Sequence, residues 1–183
     1  MRALQGIIQE IDFFQSPNFN ERPEGMAIDL IVIHAISLPP GQYNTELIKE
    51  FFMNRMDRGE DPYLSSVSHL TVSSHFLITR SGELIQFVPM HKRAWHAGVS
   101  RFQERENCND FSIGIELEGS DDDDFLDLQY ETLSKLIQFL KQEYQIPIDN
   151  IVGHSDIAPG RKTDPGPHFK CCLLYTSDAA DDS

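Results

Sequence analysis

Cysteine is scarce in this chain. Only Cys108, Cys171 and Cys172 occur among 183 residues. Adjacent cysteines rarely pair with each other, so there is no disulfide framework and nothing calls for an oxidising compartment. Basic residues are also few: 15 Lys and Arg face 29 Asp and Glu, a formal net charge of −14. That balance repels phosphate backbones and anionic lipid, which argues against nucleic-acid and membrane-surface partners. No apolar run approaches the roughly 18–20 residues needed to cross a bilayer, and no signal-type apolar stretch precedes Glu10 and Asp12. The expected compartment is the cytoplasm. Missing too are an internal repeat and the alternating oxygen ligands around a Gly turn that a calcium loop needs. The acidic run Asp121–Asp124 therefore reads as a solvated loop.

What is present is 40% hydrophobic and 24% charged residues, enough for one soluble domain with a proper core. Residues 1–27, with Pro17 and Pro23, are expected to wrap the surface irregularly. Ile28–His34 is short and rich in Ile and Val, the pattern of a buried strand. Thr45 is expected to cap a helix reaching about Met56, with Leu47, Ile48, Phe51 and Phe52 on its apolar face. His75–Arg80 and Leu84–Val88 flank Ser81-Gly82-Glu83, a hairpin signal. Ser112–Glu118 alternates at period two, with Ile113, Ile115 and Leu117 on one face and Gly114, Glu116 and Glu118 on the other. Asp127 to Tyr144 repeats its apolar residues at helical spacing, and Ile151–His154 reads as a short strand. Strand, helix, hairpin, strand, helix, strand is the order of an α/β domain built on one mixed sheet flanked by helices. The domain is expected over 1–170. After Phe169-Lys170 the composition breaks sharply, and 171–183 is expected to be a non-native tail, more like translated sequencing-adaptor read-through than a natural terminus.

The chemistry concentrates in His154–Gly166, H-S-D-I-A-P-G-R-K-T-D-P-G. Its Pro and Gly content forbids a regular helix: Pro159 and Pro165 restrict φ, and Gly160 and Gly166 permit tight turns. His34 ends one predicted strand and His154 another, and Asp164 lies ten residues beyond His154 in the same stiff loop. Two histidines and a carboxylate suit zinc with one position open for water. Lys162 would face the same metal. The seven histidines carry no local ligand motif such as H-E-x-x-H, so the residues alone leave a metal site and a set of structural histidines both open. Glu116 is either a general base for water or an ordinary strand carboxylate. Trp95-His96-Ala97-Gly98 is either a packed turn or a wall for a sugar face. Cys108, among Asn107, Asn109 and Asp110, is a poor nucleophile because nearby acid raises a thiol pKa.

Several runs fall in the order of a known family. They are S-L-P-P-G (37–41), R-A-W-H-A-G-V-S (93–100), C-N-D-F-S-I-G-I-E-L-E-G (108–119), D-I-A-P (156–159) and R-K-T-D-P-G-P (161–167). Together, over about residues 12–169, the chain closely resembles the cytoplasmic AmpD-type amidases, N-acetylmuramoyl-L-alanine amidases of peptidoglycan recycling. The resemblance implies a mixed sheet flanked by helices, related to peptidoglycan recognition proteins. It implies zinc held by His34, His154 and Asp164, with Glu116 and Lys162 catalytic and Trp95 and His96 at the substrate. It also implies action on a 1,6-anhydro-muropeptide, cut between lactyl group and L-alanine; the chain is expected to be a monomer. Alternatives on the same fold are a cell-wall lytic amidase and a non-catalytic peptidoglycan-binding module. The chain departs from the family pattern at Ala35, where asparagine is common, at Ser155, where cysteine is, and after Phe169, where Asp-Trp usually follows.

Overall fold

Two seven-residue segments rich in Ile, Val and Leu set the centre of the fold. The computed structural model describes residues 1–57 and 59–174, the side chains of Leu173 and Leu174 excepted. The chain begins with four two-residue strands, β1 (Ala3–Leu4), β2 (Ile7–Ile8), β3 (Asp12–Phe13) and β4 (Phe19–Asn20). The first central segment, β5 (Leu30–Ile36), leads to helices α1 (Thr45–Phe52) and α2 (Pro62–Val67) and the hairpin β6 (Phe76–Ile78) with β7 (Leu84–Gln86). Three more short strands, β8 (Arg93–Ala94), β9 (Arg101–Phe102) and β10 (Arg105–Glu106), precede the second central segment, β11 (Ser112–Glu118). The long helix α3 (Asp127–Tyr144), β12 (Ile151–Gly153) and a single turn, α4 (His154–Ile157), follow.

Six strands form one mixed sheet in the order β12-β5-β11-β6-β7-β3. The four strands β12, β5, β11 and β6 run parallel, β7 returns antiparallel to β6, and β3 closes the edge parallel to β7. Parallel strands are covered on both faces, and every residue of β11 is buried. On one face Ile31, Ile33, Ile113, Ile115 and Leu117 pack against Leu133, Leu136, Ile137 and Leu140 of α3. On the other, Ile48, Phe51 and Phe52 of α1 cover Leu77 and Ile85. The histidine-bearing segments occupy the rest of that second face.

This is the expected single-domain α/β architecture, with differences where local signals were weak. Residues 1–27 do not simply wrap the surface. β3 joins the main sheet, and Arg22 runs inward to the carbonyls of Met90, Asn109, Asp110 and Ser112. Asn44, not Thr45, caps α1 by accepting the Leu47 N–H at 3.1 Å, and the helix stops at Phe52 rather than Met56. The stop follows from Asn54, whose φ of 57° lies in the left-handed region. His154 opens a helical turn instead of ending a strand, because Asp156 accepts the Gly153 N–H at 2.7 Å. The acidic run is anchored rather than free: Asp121 accepts from Thr163, Asp123 from Tyr43, and Asp124 pairs with His168. Cys171–Leu174, the first residues of the expected tail, form one 3₁₀ turn. The rest of that tail lies outside the described residues.

Candidate active site

The parallel register puts Glu116 of β11 beside His34 of β5 on the same rung. Paired residues of neighbouring strands point to one face, so both side chains enter the same cavity floor. Two positions before Glu116 on that face stands Gly114. A Cβ there would lie 2.5–2.7 Å from three ring atoms of His96, so only glycine leaves room for this imidazole. α4 and the following loop bring His154 and Asp164 over the end of β5. The loop is held by the Ser155 N–H to the Asp164 carbonyl (3.0 Å) and by Thr163 on Asp121. Gly166, at φ 84°, lies so close that a Cβ would meet Asp121 Cα at 2.5 Å.

His34 Nδ1, His154 Nδ1 and one oxygen of Asp164 converge. The two nitrogens are 2.9 Å apart, and Asp164 Oδ2 lies 3.3 Å from His34 and 3.1 Å from His154. These three residues could hold a metal ion. His154 Nε2 faces the carbonyl of Ala97 at 3.1 Å, and His34 Nε2 faces His96 Nδ1 at 2.9 Å. Burial holds the His34 pKa down at about 4, the neutral form a metal ligand needs. Burial pushes Asp164 upward, but hydrogen bonds from His154 and His34 outweigh it and keep the carboxyl well below its ordinary range.

Glu116 is the driest acid of the site. Its Oε2 has no hydrogen-bond partner among the described residues. Burial first, and then the charge of Asp164, raise its pKa well above the usual carboxylate value, while Lys162 acts in the opposite sense. Lys162 is exposed at the rim and lines the same cavity as His34, Glu116, His154 and Asp164. The cavity holds about 440 Å³. Leu38, Phe51, Phe52, Tyr63, Val67 and Val72 give it an apolar lining, and Ser120, Asp121 and Asp122 a polar one.

The structure treats the two residues of the expected sugar wall, Trp95 and His96, differently. Trp95 is not among the cavity-lining residues, and its indole N–H donates to Asn20 on β4 at 2.8 Å. His96 does reach the cavity, yet both its ring nitrogens are engaged, with His34 and with Ser112 at 3.1 Å. Sequence reasoning passed over Ser112, Gly114 and Asn109. Asn109 Oδ1 accepts the backbone N–H of both His96 (3.0 Å) and Ala97 (2.8 Å). Its only signal was the polar run Asn107–Asp110, which gave no hint of a partner.

Convergent metal donors beside a desolvated carboxyl, at the open end of parallel strands, are the equipment of a hydrolase. Comparison with known proteins then fixes the family. Residues 24–167 match the family model described as N-acetylmuramoyl-L-alanine amidase. The 1,6-anhydro-N-acetylmuramyl-L-alanine amidase AmpD of Enterobacter cloacae is 52% identical over 154 residues, 84% of this chain and 82% of its own. A crystal structure of a selenomethionine AmpD derivative superposes with a TM-score of 0.93 at 45% identity, covering 96% of this chain and 98% of that one. The Escherichia coli N-acetylmuramyl-L-alanine amidase AmiD, solved with the substrate anhydro-N-acetylmuramic acid-L-Ala-D-γ-Glu-L-Lys, is a more distant neighbour. It has a TM-score of 0.63 and 28% identity, covering 86% of this chain and 61% of its own. The chain belongs to the N-acetylmuramoyl-L-alanine amidase family.

Proposed function

We propose that this protein is a zinc-dependent amidase of the cytoplasm. Within peptidoglycan recycling, it would cut the amide between the lactyl group and L-alanine of 1,6-anhydro-muropeptides. The observation that carries the zinc assignment is the convergence of His34, His154 and Asp164. Zinc–nitrogen bonds of about 2.0–2.1 Å in a tetrahedron put neighbouring ligand atoms about 3.3–3.4 Å apart. The three donor separations, 2.9–3.3 Å, fit that frame once the ion draws the donors into place. Two imidazoles and one carboxylate leave the fourth position for the reaction. The anhydro sugar is supported by identity to AmpD across most of the chain and by the substrate bound to AmiD. Every group named lies in one chain, in a domain taken as 1–170, and the working unit is a monomer.

Zinc, when bound, supplies Lewis acidity to the scissile carbonyl and to water. Glu116, dry and with high proton affinity, takes the proton from water and returns it to the departing L-alanine amine. Lys162 at the rim brings positive charge to the carbonyl oxygen as it becomes anionic. The apolar wall of Phe51, Phe52 and Tyr63 excludes water from the reacting bond.

The test joins elemental analysis of the purified protein to mass spectrometry of products. One zinc per chain and release of intact stem peptide from anhydro-muropeptide are expected. Equal kcat/KM for anhydro- and ordinary muramoyl peptides would remove the sugar specificity. Preference for intact sacculi would favour the lytic alternative, and binding without turnover the non-catalytic one.

A further inference from the structure

Behind His34, on the side away from the donor cluster, a line of hydrogen bonds runs to a backbone carbonyl. The carbonyl of Cys108 can only accept. The Ser112 hydroxyl donates to it at 2.6 Å and so spends its single proton. His96 Nε2, 3.1 Å from the same hydroxyl oxygen, must therefore donate. His96 is buried with the rings of His34 and His75 against it, an environment that keeps an imidazole neutral with one proton. Its Nδ1 is then bare. His34 Nε2 lies 2.9 Å from that bare nitrogen and must donate to it. A metal-binding imidazole carries one proton, so His34 Nδ1 is left bare, and Nδ1 is the atom aimed at His154 and Asp164.

The second histidine is set from the same place. His154 Nε2 lies 3.1 Å from the carbonyl of Ala97, which can only accept, and closer to it than to Arg161 at 3.4 Å; it therefore donates to that carbonyl, which leaves its Nδ1 bare once a metal is held. Arg161 also donates to that carbonyl, at 2.6 Å, using its second lone pair. Asn109 clamps the backbone of both His96 and Ala97. We propose that His96 and Ser112 are positioning residues: with Ala97 held by Asn109, they fix the tautomer and direction of both histidine donors. This rests on the zinc assignment above. His96 then serves the ligand behind it and not the sugar in front.

The experiment starts with the metal-free wild-type protein, whose imidazole protons are located by long-range ¹H–¹⁵N NMR. His96 is expected as the Nε2–H form there, and His34 and His154 as the Nε2–H form once zinc is added and displaces the Nδ1 protons that Asp164 otherwise holds. A proton on Nδ1 of His96 in the metal-free protein, or on Nδ1 of His34 with zinc bound, overturns the proposal. Zinc affinity is then measured by chelator competition in folded His96→Leu, His96→Asn and Ser112→Ala. The Asn oxygen sits where Nδ1 sits, so His96→Asn is expected to stay near wild type. His96→Leu and Ser112→Ala should weaken zinc by about 10–100-fold, the usual effect of removing a ligand's hydrogen-bond partner. Equal loss in His96→Asn and His96→Leu reduces His96 to packing, and no loss in His96→Leu removes it altogether; both defeat the proposal. If His96→Leu does not fold, the wild-type tautomers still decide. Wild-type protein that takes no zinc would sink the metal assignment, while the tautomers answer the second question separately.

Discussion

At Glu116 the same burial serves two ends. It raises the proton affinity of the carboxyl and leaves Oε2 without a hydrogen-bond partner among the described residues, on a side chain that lines the same cavity as His34 and Asp164. Glu116→Gln keeps the shape and removes the group that can take up and return a proton. It is expected to retain full zinc by elemental analysis and to lose about 10²–10⁴-fold in kcat. Asp164→Ala deletes one of three donors and is expected to come off a desalting column with little metal, whereas full tight zinc would mean a wrong ligand set. These positions were legible because strand ends and strand faces are readable: His34 closes an apolar run, and Glu116 lies two residues from Gly114 on a period of two. The hydrogen bond from the Trp95 indole was not legible. Its partner Asn20 is 75 positions away, and no local pattern announces a hydrogen bond at that distance.

Among the elements, β5, β11 and α3 showed themselves through periods long enough to count. β1 to β4 did not, since two residues have no period; β1 and β2 pair across the tight turn at Gln5-Gly6, and β3 and β4 have remote partners, such as Phe19 with Ala94. The six-residue helix α2 escaped for the same reason, although Asp61 caps it and Pro62 fills its first position. β11 carries the sharpest steric test. Gly114→Ala places a methyl against an imidazole that is bonded on both sides and cannot swing away. The expected cost is about 1–3 kcal/mol, the range for overpacking a filled interior. It is read as a lower urea midpoint with unchanged slope. An unshifted midpoint would show that His96 is free to move.

For the whole molecule the titration of buried histidines governs acid stability. Burial lowers His34 to about 4 and His75 to about 3, and holds His96 well below its ordinary value. In the unfolded chain these groups take protons near pH 6.5. Between that value and about 4 the unfolded state binds more protons than the native one, so stability rises with pH and is lost on acidification. Asp164 acts in the same sense at lower pH, while Glu116, raised in the fold, opposes in part. Each histidine that charges only on unfolding adds about 1.4 kcal/mol per pH unit. Urea midpoints of the metal-free protein are expected to fall steadily from pH 7 to 4, and a flat profile would mean the rings are hydrated. The rung shared by His34 and Glu116 has a different kind of consequence. Their backbones stay one inter-strand step apart, about 4.8 Å, however much chain runs between them. The hydrogen-bond ladder acts as a ruler. Loops between residues 37 and 74 can therefore be lengthened, shortened or exchanged to reshape what the cavity admits, while the spacing at its reactive floor stays the same.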